Sequence, residues 1–404
     1  MTHYAATARP LQGVLLRFAP AVLIIFFGYL AIATPLAVLP LQIHGRLGYG
    51  TLVVGAAIGI QSLVTLATRQ LVGGFCDRRG PKPVVVLGGC CSLLASAIYL
   101  LACLAPGAES LSLAAILIAR IMLGVGESLL MTGSLAWAIG IVSPSHAGKV
   151  MVWVGIAMYG AVATGAPLGI WLMMGSGYDG GPTTVALAAL TFSLLATLTG
   201  VLIAPLAPHG GERLPFLAVA ARIAPFGAGL TLATFGFGAI AAFAALDFQT
   251  KGWSGAGFAL AGFGAAYIVA RVLFGHWPDR FGGARVAFFS LIIEACGQSL
   301  LWLAPAAAIA FAGAFMTGAG FSLVFPSFGI EAVKQVPAAS RGSALGAYAA
   351  FFDLGFALAG PVTGVIAGAL GYPPVFATGA LSAIVAVLPA LYAARRASQA
   401  GCTA

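Results

Sequence analysis

Charge is what this sequence lacks most. Of its 404 residues only 7% are Asp, Glu, Lys or Arg, against 61% hydrophobic, where soluble domains carry about 25% charged residues. Such a chain cannot cover a water-facing surface, and its high hydrophobicity excludes intrinsic disorder. The net charge of +9 comes with no basic tract for a nucleic acid, because the 19 Lys and Arg are scattered in ones and twos between apolar runs. Cysteine is scarce too. Cys76, Cys90, Cys91, Cys103, Cys296 and Cys402 form no C-x-x-C, and four of them lie inside apolar runs, so neither a disulfide framework nor a zinc site is expected. His3 falls in the N-terminal tail and His44, His146, His209 and His276 in expected loops, so no metal ligand is expected. There is no G-x-x-x-x-G-K-[ST] for a nucleotide, and no Ser/His/Asp or Cys/His cluster near a membrane face that would mark an enzyme. Rings of charge or carbonyls that would line a channel are also scarce. Met1 to Arg17 shows no small-residue cleavage site after an early apolar run, so no removable signal peptide is expected.

What is present is a succession of long apolar runs. A hydrocarbon core of about 30 Å takes about 20 apolar residues per helical crossing. Helices are expected at about 17–41, 50–73, 83–105, 111–135, 149–173, 184–207, 220–247, 256–276, 284–304, 306–330, 342–370 and 374–394. The break at Ala304-Pro305 divides a stretch too long for one crossing. These twelve spans place Arg9, Arg17, Arg69, Arg78, Arg79, Lys82, Lys149, Arg213, Arg222, Arg271, Arg280, Arg285, Lys334, Arg341, Arg395 and Arg396 on the side of the termini. Only Arg46 and Lys251 fall opposite, and Arg120 lies within a span. The positive-inside rule then puts both termini in the cytoplasm.

The chain repeats itself. Arg69-x-x-x-Gly73-x-x-x-Asp77-Arg78-x-Gly80 returns 202 residues later as Arg271-x-x-x-Gly275-x-x-x-Asp279-Arg280-x-Gly282. Gly124-x-Gly126-x-Ser128-Leu129 returns 194 residues later as Gly318-x-Gly320-x-Ser322-Leu323, an offset shared by Gly148/Gly342 and Pro167/Pro361. Two parallel six-helix halves are expected, 1–207 and 220–404, joined by a cytoplasmic linker at 208–219, with a site at their interface near the bilayer midplane.

Several of these residues carry a resemblance. Gly73 to Lys82 resembles the loop signature between spans 2 and 3 of the major facilitator superfamily, with Gly275 to Arg285 its weaker copy. Arg120-x-x-x-Gly124-x-Gly126 resembles the span 4 motif, whose arginine the family associates with proton coupling. Gly165-Ala166-Pro167-Leu168-Gly169 resembles the span 5 antiporter motif, with Pro167 one place later than usual. Tyr29 to Pro40, Lys251 to Leu260 and Gly318 to Pro326 look like the bacterial YhhS-like branch. The resemblance covers nearly the whole chain. It implies an all-α membrane protein of twelve helices and an inner-membrane, proton-coupled exporter of a small organic molecule working by antiport. No cofactor is implied beyond the proton gradient, nor any partner beyond substrate, protons and lipid, and the chain is expected to be a monomer. Uptake by proton symport on the same scaffold stays open, as does a membrane-embedded receptor or enzyme.

The residues themselves point to sites. Arg120 lies roughly 13 Å into span 4, too deep to snorkel. A guanidinium there requires a partner or a water-filled cavity, and a structural ion pair is the plainer alternative. Glu127 follows by seven residues on the same face, as a protonatable group or merely a solvated one near the exit. Asp353, in mid-span 11 among Phe351, Phe352 and Phe356, is a second protonation candidate or a partner for Arg120. Glu294 is a third, ranked lower, with a structural hydrogen bond expected. Asp247 reads as an interface residue. Gly73, Asp77, Arg78, Gly80, Asp279 and Arg280 form a candidate conformational latch, with Gly73 permitting close helix approach and Gly80 a turn. Gly165, Pro167, Gly360 and Pro361 are expected to bend spans 5 and 11. Tyr29, Gln61, Trp153, Tyr159 and Gln298 are candidates to line the cavity.

Overall fold

The computed structural model describes residues 11–104, 107–142, 147–175, 177–207, 216–336 and 341–392. Within them the apolar runs form twelve helices of membrane-crossing length. They are α1 (Leu11–Leu36, continued by a π-helical stretch Leu41–Arg46), α2 (Thr51–Arg79), α3 (Pro81–Leu104), α4 (Glu109–Val142), α5 (Ala147–Gly175) and α6 (Gly177–Leu202). The second half adds α7 (Phe216–Thr250), α8 (Gly257–Phe274), α10 (Gly283–Trp302), α11 (Ala307–Val333), α12 (Arg341–Leu370) and α13 (Pro373–Val385), whose span continues past a turn to Tyr392, while the short α9 (Trp277–Phe281) crosses nothing. No strand occurs among the described residues. Pro305 does fall in a break, between Trp302 and Ala307.

Several helices outrun the apolar runs that announced them. α2 continues six residues past the expected end to Arg79, because Cys76-Asp77-Arg78-Arg79 holds no helix breaker; hydropathy marks the edge of the hydrocarbon, whereas Gly80 ends the helix. Gly80 has φ +81° and its repeat Gly282 φ +89°, a left-handed turn that glycine adopts without the Cβ clash of other residues. Pro81 follows Gly80 at the start of α3, whereas Pro278 precedes Gly282, in the first turn of α9; at both places the missing N–H is not needed. α7 starts at Phe216, so the end of the expected linker is helix; residues 208–215 lie outside the described residues.

Both halves pack by the same plan. α1 lies on α5 and α6, α2 on α4, and α3 on α4 and α6. The second half matches each pair, with α7 on α12 and α13, α8 on α11, and α10 on α11 and α13. The halves meet along α2–α12 and α5–α8. Glycine makes the repeat legible in three dimensions. A Cβ on Gly124 would stand 3.2 Å from the carbonyl carbon of Gln61, and one on Gly318 2.7 Å from that of Phe263. One on Gly126 would stand 3.1 Å from the Ser92 nitrogen, and one on Gly320 2.7 Å from that of Glu294. Both offsets found in the sequence therefore describe one backbone frame used twice.

An even number of spans puts both termini on one face, and the halves are joined more tightly at the other. There Thr51 Oγ1 donates to Gly364 O at 2.8 Å, and the backbones of Gly55 and Gly360 are in contact. A Cβ on Gly257 would meet Pro167 Cα at 2.9 Å, and one on Gly264 the Ala163 Cβ at 2.9 Å. One apolar cluster runs through both halves here, and in the second half it extends to the terminus face through Val219, Ile223 and Ala344. Toward the termini, Phe18, Ile25, Leu130, Trp137 and Val154 form a separate cluster drawn from the first half alone.

Candidate functional site

Between the halves lies a cavity of about 40 Å³, lined by Tyr29, Gln61, Arg120 and Glu127 of the first half and Phe237, Phe352 and Phe356 of the second, with Tyr159 and Met158 of α5. Its two walls differ in kind. The first half supplies the charged and hydrogen-bonding groups. The second supplies rings, with Phe237 stacked on Phe263 at 4.8 Å and packed against Phe356 at 5.1 Å. Tyr159 stacks on Tyr267 at 3.6 Å.

Among the described residues Glu127 is held by neutral donors only. Tyr29 Oη donates to its Oε1 at 2.8 Å and Gln61 Nε2 to its Oε2 at 2.7 Å, with Thr65 Oγ1 3.4 Å away. Arg120 makes no ion pair among the described residues. Its Nε donates to the Ala57 carbonyl at 3.2 Å, while its Nη1 has no partner among the described residues. The side chain is only 4% exposed, and it also borders a smaller cavity of about 20 Å³ with Ser96 and Tyr99 inside the first half. Arg120 and Glu127 therefore face one space without touching.

Asp353 is not the partner of Arg120. It pairs with Arg69 of α2, whose Nε donates to Oδ2 at 2.7 Å and whose Nη2 reaches the same oxygen. The sequence places Arg69 in the loop signature, with the cytoplasmic charges. The helix, however, carries it roughly 15 Å in from Arg79, into the seam between the halves. Its repeat Arg271 is likewise inside the protein, 8% exposed. It donates Nη2 to Tyr267 Oη at 2.6 Å and lies over that ring. Both residues leave the tally of charges at the terminus face.

The other expectations sort by position. Tyr29, Gln61 and Tyr159 do border the cavity, but Trp153 and Gln298 do not: Trp153 is exposed on α5 and Gln298 is buried in the second half. Glu294 is also buried there, and the hydrogen bond expected of it is absent, since neither carboxylate oxygen has a partner among the described residues. Asp247 sits at the end of α7 and takes Lys251 Nζ at 3.0 Å. Gly73 does not mediate a close helix approach: a Cβ there would meet nothing within 4 Å. Asp77 is half-buried in the last turn of α2, Arg78 is exposed, and Asp279 and Arg280 are exposed on α9. Pro167 and Pro361 lie inside α5 and α12, which continue through them. A Cβ on Gly165 would stand 3.0 Å from Ala33 Cβ on α1, and Gly360 abuts Gly55 on α2.

Met158, Phe237 and Phe356 were not singled out from the sequence. Arg69 was, as a motif residue, but not as a member of this region. Its position inside an apolar span, matched by Arg271, was the available signal.

Comparison with known proteins fits this architecture. The sequence pattern of the Major Facilitator Superfamily matches residues 21–254 and again 226–402. An uncharacterised MFS-type transporter of Pseudomonas aeruginosa is 43% identical over 391 residues, covering 96% of each chain. One of Burkholderia mallei is 41% identical over 362 residues, 90% of this chain and 88% of its own. Among solved structures, the nucleoside transporter NupG superposes with a TM-score of 0.73 at 14% identity, covering 93% of this chain and 99% of its own. The human organic anion transporter MFSD10 does so at 0.68 and 16%, covering 95% and 100%; at these identities the likeness concerns the fold. This chain belongs to the Major Facilitator Superfamily and is an MFS-type membrane transporter.

Proposed function

We propose that this transporter exports a small organic molecule in exchange for protons, by alternating access through the central cavity. The observation that carries the reading is the setting of Glu127, a carboxylate in the cavity wall held by Tyr29 and Gln61 and paired with no cation among the described residues. A proton arriving there and a donor group on a substrate compete for the same two oxygens. Competition for one site, met alternately from the two faces, is the elementary form of antiport. Arg120 faces the same space, and release of the proton follows when the site is reached from the less acidic side.

Alternation requires the halves to move. A cavity of about 40 Å³ holds a few waters, whereas sites for small organic ligands run to about 300–1,000 Å³. The Arg69–Asp353 pair spans the seam that must part. Protonation of Asp353 would remove its charge and loosen that link, which joins proton binding to the rocking of one half against the other. The paired turns at Gly80 and Gly282, with Asp77, Arg78, Asp279 and Arg280 beside them, are assigned the role of latch at the terminus face. We place that face in the cytoplasm of a bacterial inner membrane, from the distribution of Lys and Arg. We place the chain in the YhhS-like branch on its Tyr29–Pro40 and Gly318–Pro326 segments, and take the working unit to be a monomer.

The test is a thermal-shift screen of small organic molecules on the purified protein, followed by transport of each hit in proteoliposomes given a pH jump. Exchange predicts that a hit leaves the vesicle interior faster when the outside is made acidic. A hit that moves with no response to the proton gradient would refute coupling while leaving the transporter intact.

A further inference from the structure

Behind the aromatic wall lies a polar pair that the cavity does not reach. Glu294 and Gln298 stand one turn apart on α10, on the same face, and both are fully buried. Neither oxygen of Glu294 nor the Oε1 of Gln298 has a hydrogen-bond partner among the described residues. Gln298 Nε2, by contrast, donates to the Gly236 carbonyl of α7 at 3.1 Å and reaches Thr317 Oγ1 of α11 at 3.3 Å. Three buried acceptors without donors among the described residues therefore lie on one helix face, Glu294 Oε1 against α7 and Gln298 Oε1 against α13.

The helices packed on α10 bring no charge to them. α7 presents Gly236, where a Cβ would stand 2.9 Å from Glu294 Oε1, and its charged residues Arg222 and Asp247 lie near its ends. α11 presents Thr317 and Gly320, and its Glu331 lies three turns on, bonded by Lys334. α13 presents Gly379 against the Gln298 amide and carries no charged residue. Asp279 and Arg280 of α9 are exposed, as is Arg285 in the first turn of α10.

An ionised carboxylate so placed would have no cation and no donor, and burial of such a charge is among the costliest arrangements a protein can adopt. One added proton removes the charge and turns one carboxylate oxygen into a donor, with the Gln298 amide one turn away on the same face as its partner. The repeat points the same way. Positions 294 and 298 match Ser92 and Ser96 in the first half, both neutral, and Gly126 and Gly320 set the same frame around them. The second half carries an acid there with no counter-ion among the described residues.

We propose that Glu294 is a resident proton-binding site, a carboxylic acid that keeps its proton through the transport cycle and is distinct from the groups exchanging protons in the cavity. Its O–H fixes the Gln298 amide so that Nε2 braces α7 and α11, and Gly236 is the neighbour of Phe237 in the cavity wall. Glu294 thereby acts as a positioning residue.

Infrared difference spectroscopy of the purified protein tests this. A protonated-carboxyl C=O band, present in wild type and absent in Glu294→Gln, is expected to persist from about pH 5 to about pH 9, well above the usual carboxylate range. Gln298→Leu removes the acceptor and is expected to shift that band to higher frequency, an outcome readable even where Glu294→Gln fails to fold. Glu294→Gln, which still offers an N–H donor, is expected to keep proton-driven flux, whereas Glu294→Leu melts at lower temperature. Absence of the band, its titration within that range, or an unmoved band in Gln298→Leu would overturn the proposal. So would loss of the pH-gradient response in Glu294→Gln, or a sodium-dependent rise in wild-type melting temperature that Glu294→Gln abolishes. The infrared and melting outcomes are independent of whether Glu127 couples transport, because they are read without transport; the flux outcome alone rests on the proposed exchange.

Discussion

The two halves share one frame and part company at the cavity. Where the first half has Arg120, Glu127, Gln61 and Thr65, the matched positions of the second hold Ala314, Phe321, Phe263 and Tyr267. At the seams, Arg69 meets Asp353, whereas its repeat Arg271 meets Tyr267, and the position matching Asp353 is Tyr159. Repetition supplies what a rocking pair needs, two similar bodies with glycine-smoothed contacts. Divergence supplies what a binding site needs, a few placed polar groups against an apolar surface. Charge was concentrated on one wall, and rings on the other.

The comparison can be broken most severely at Glu127. Glu127→Gln keeps the size and the hydrogen-bonding capacity of the polar wall but removes its titration. Proton-driven flux in proteoliposomes should fall by about a hundredfold or more, the scale at which essential proton-transfer groups act, and unchanged flux would place coupling elsewhere. Next in size is the seam. Asp353→Asn leaves Arg69 buried without its counter-charge, a loss of about 3–5 kcal/mol that should appear as a lower melting temperature. Arg69→Gln combined with Asp353→Asn should recover most of it, and failure to do so would show that the two side chains act separately. At the matched seam, Tyr267→Phe removes one acceptor from Arg271 and should cost about 1.5–3 kcal/mol, less than the ion pair. The smallest change probes the shared frame: Gly80→Ala and Gly282→Ala should each cost about 1–3 kcal/mol, the penalty of a positive-φ extended backbone for a residue with a Cβ. Markedly unequal losses in that pair would mean that the two turns carry different loads.

The fold was legible because its signals are local. Twelve apolar runs need only a length criterion, and the two offsets needed only the glycine and proline spacings. Arg120 and Glu127 stood out as charges in apolar surroundings, seven residues apart on one helix face. The Arg69–Asp353 pair joins residues 284 apart in sequence, and no spacing rule reaches across two helical bundles. The charge tally also misled, since a basic residue near a loop motif reads as an anchor until the helix is seen to run on to Gly80. Tyr29 and Gln61 were recognisable as polar groups in apolar helices, but their meeting on Glu127 depends on how α1, α2 and α4 pack. Glu294 was visible as a charge in a span; that its neighbours are glycines and a threonine, with no donor for it, was not. The aromatic wall was the least legible part, because phenylalanine in an apolar helix looks the same whether it faces lipid, core or cavity.

The central claim is that substrate and proton meet at Glu127, and proton release on ligand binding tests it most directly. A hit from the thermal-shift screen, added to purified protein in weakly buffered detergent solution at a pH where the site carries its proton, should acidify the medium for wild type and leave it unchanged for Glu127→Gln. Equal release from both proteins, or ligand binding to wild type with no release at any pH, would contradict the account.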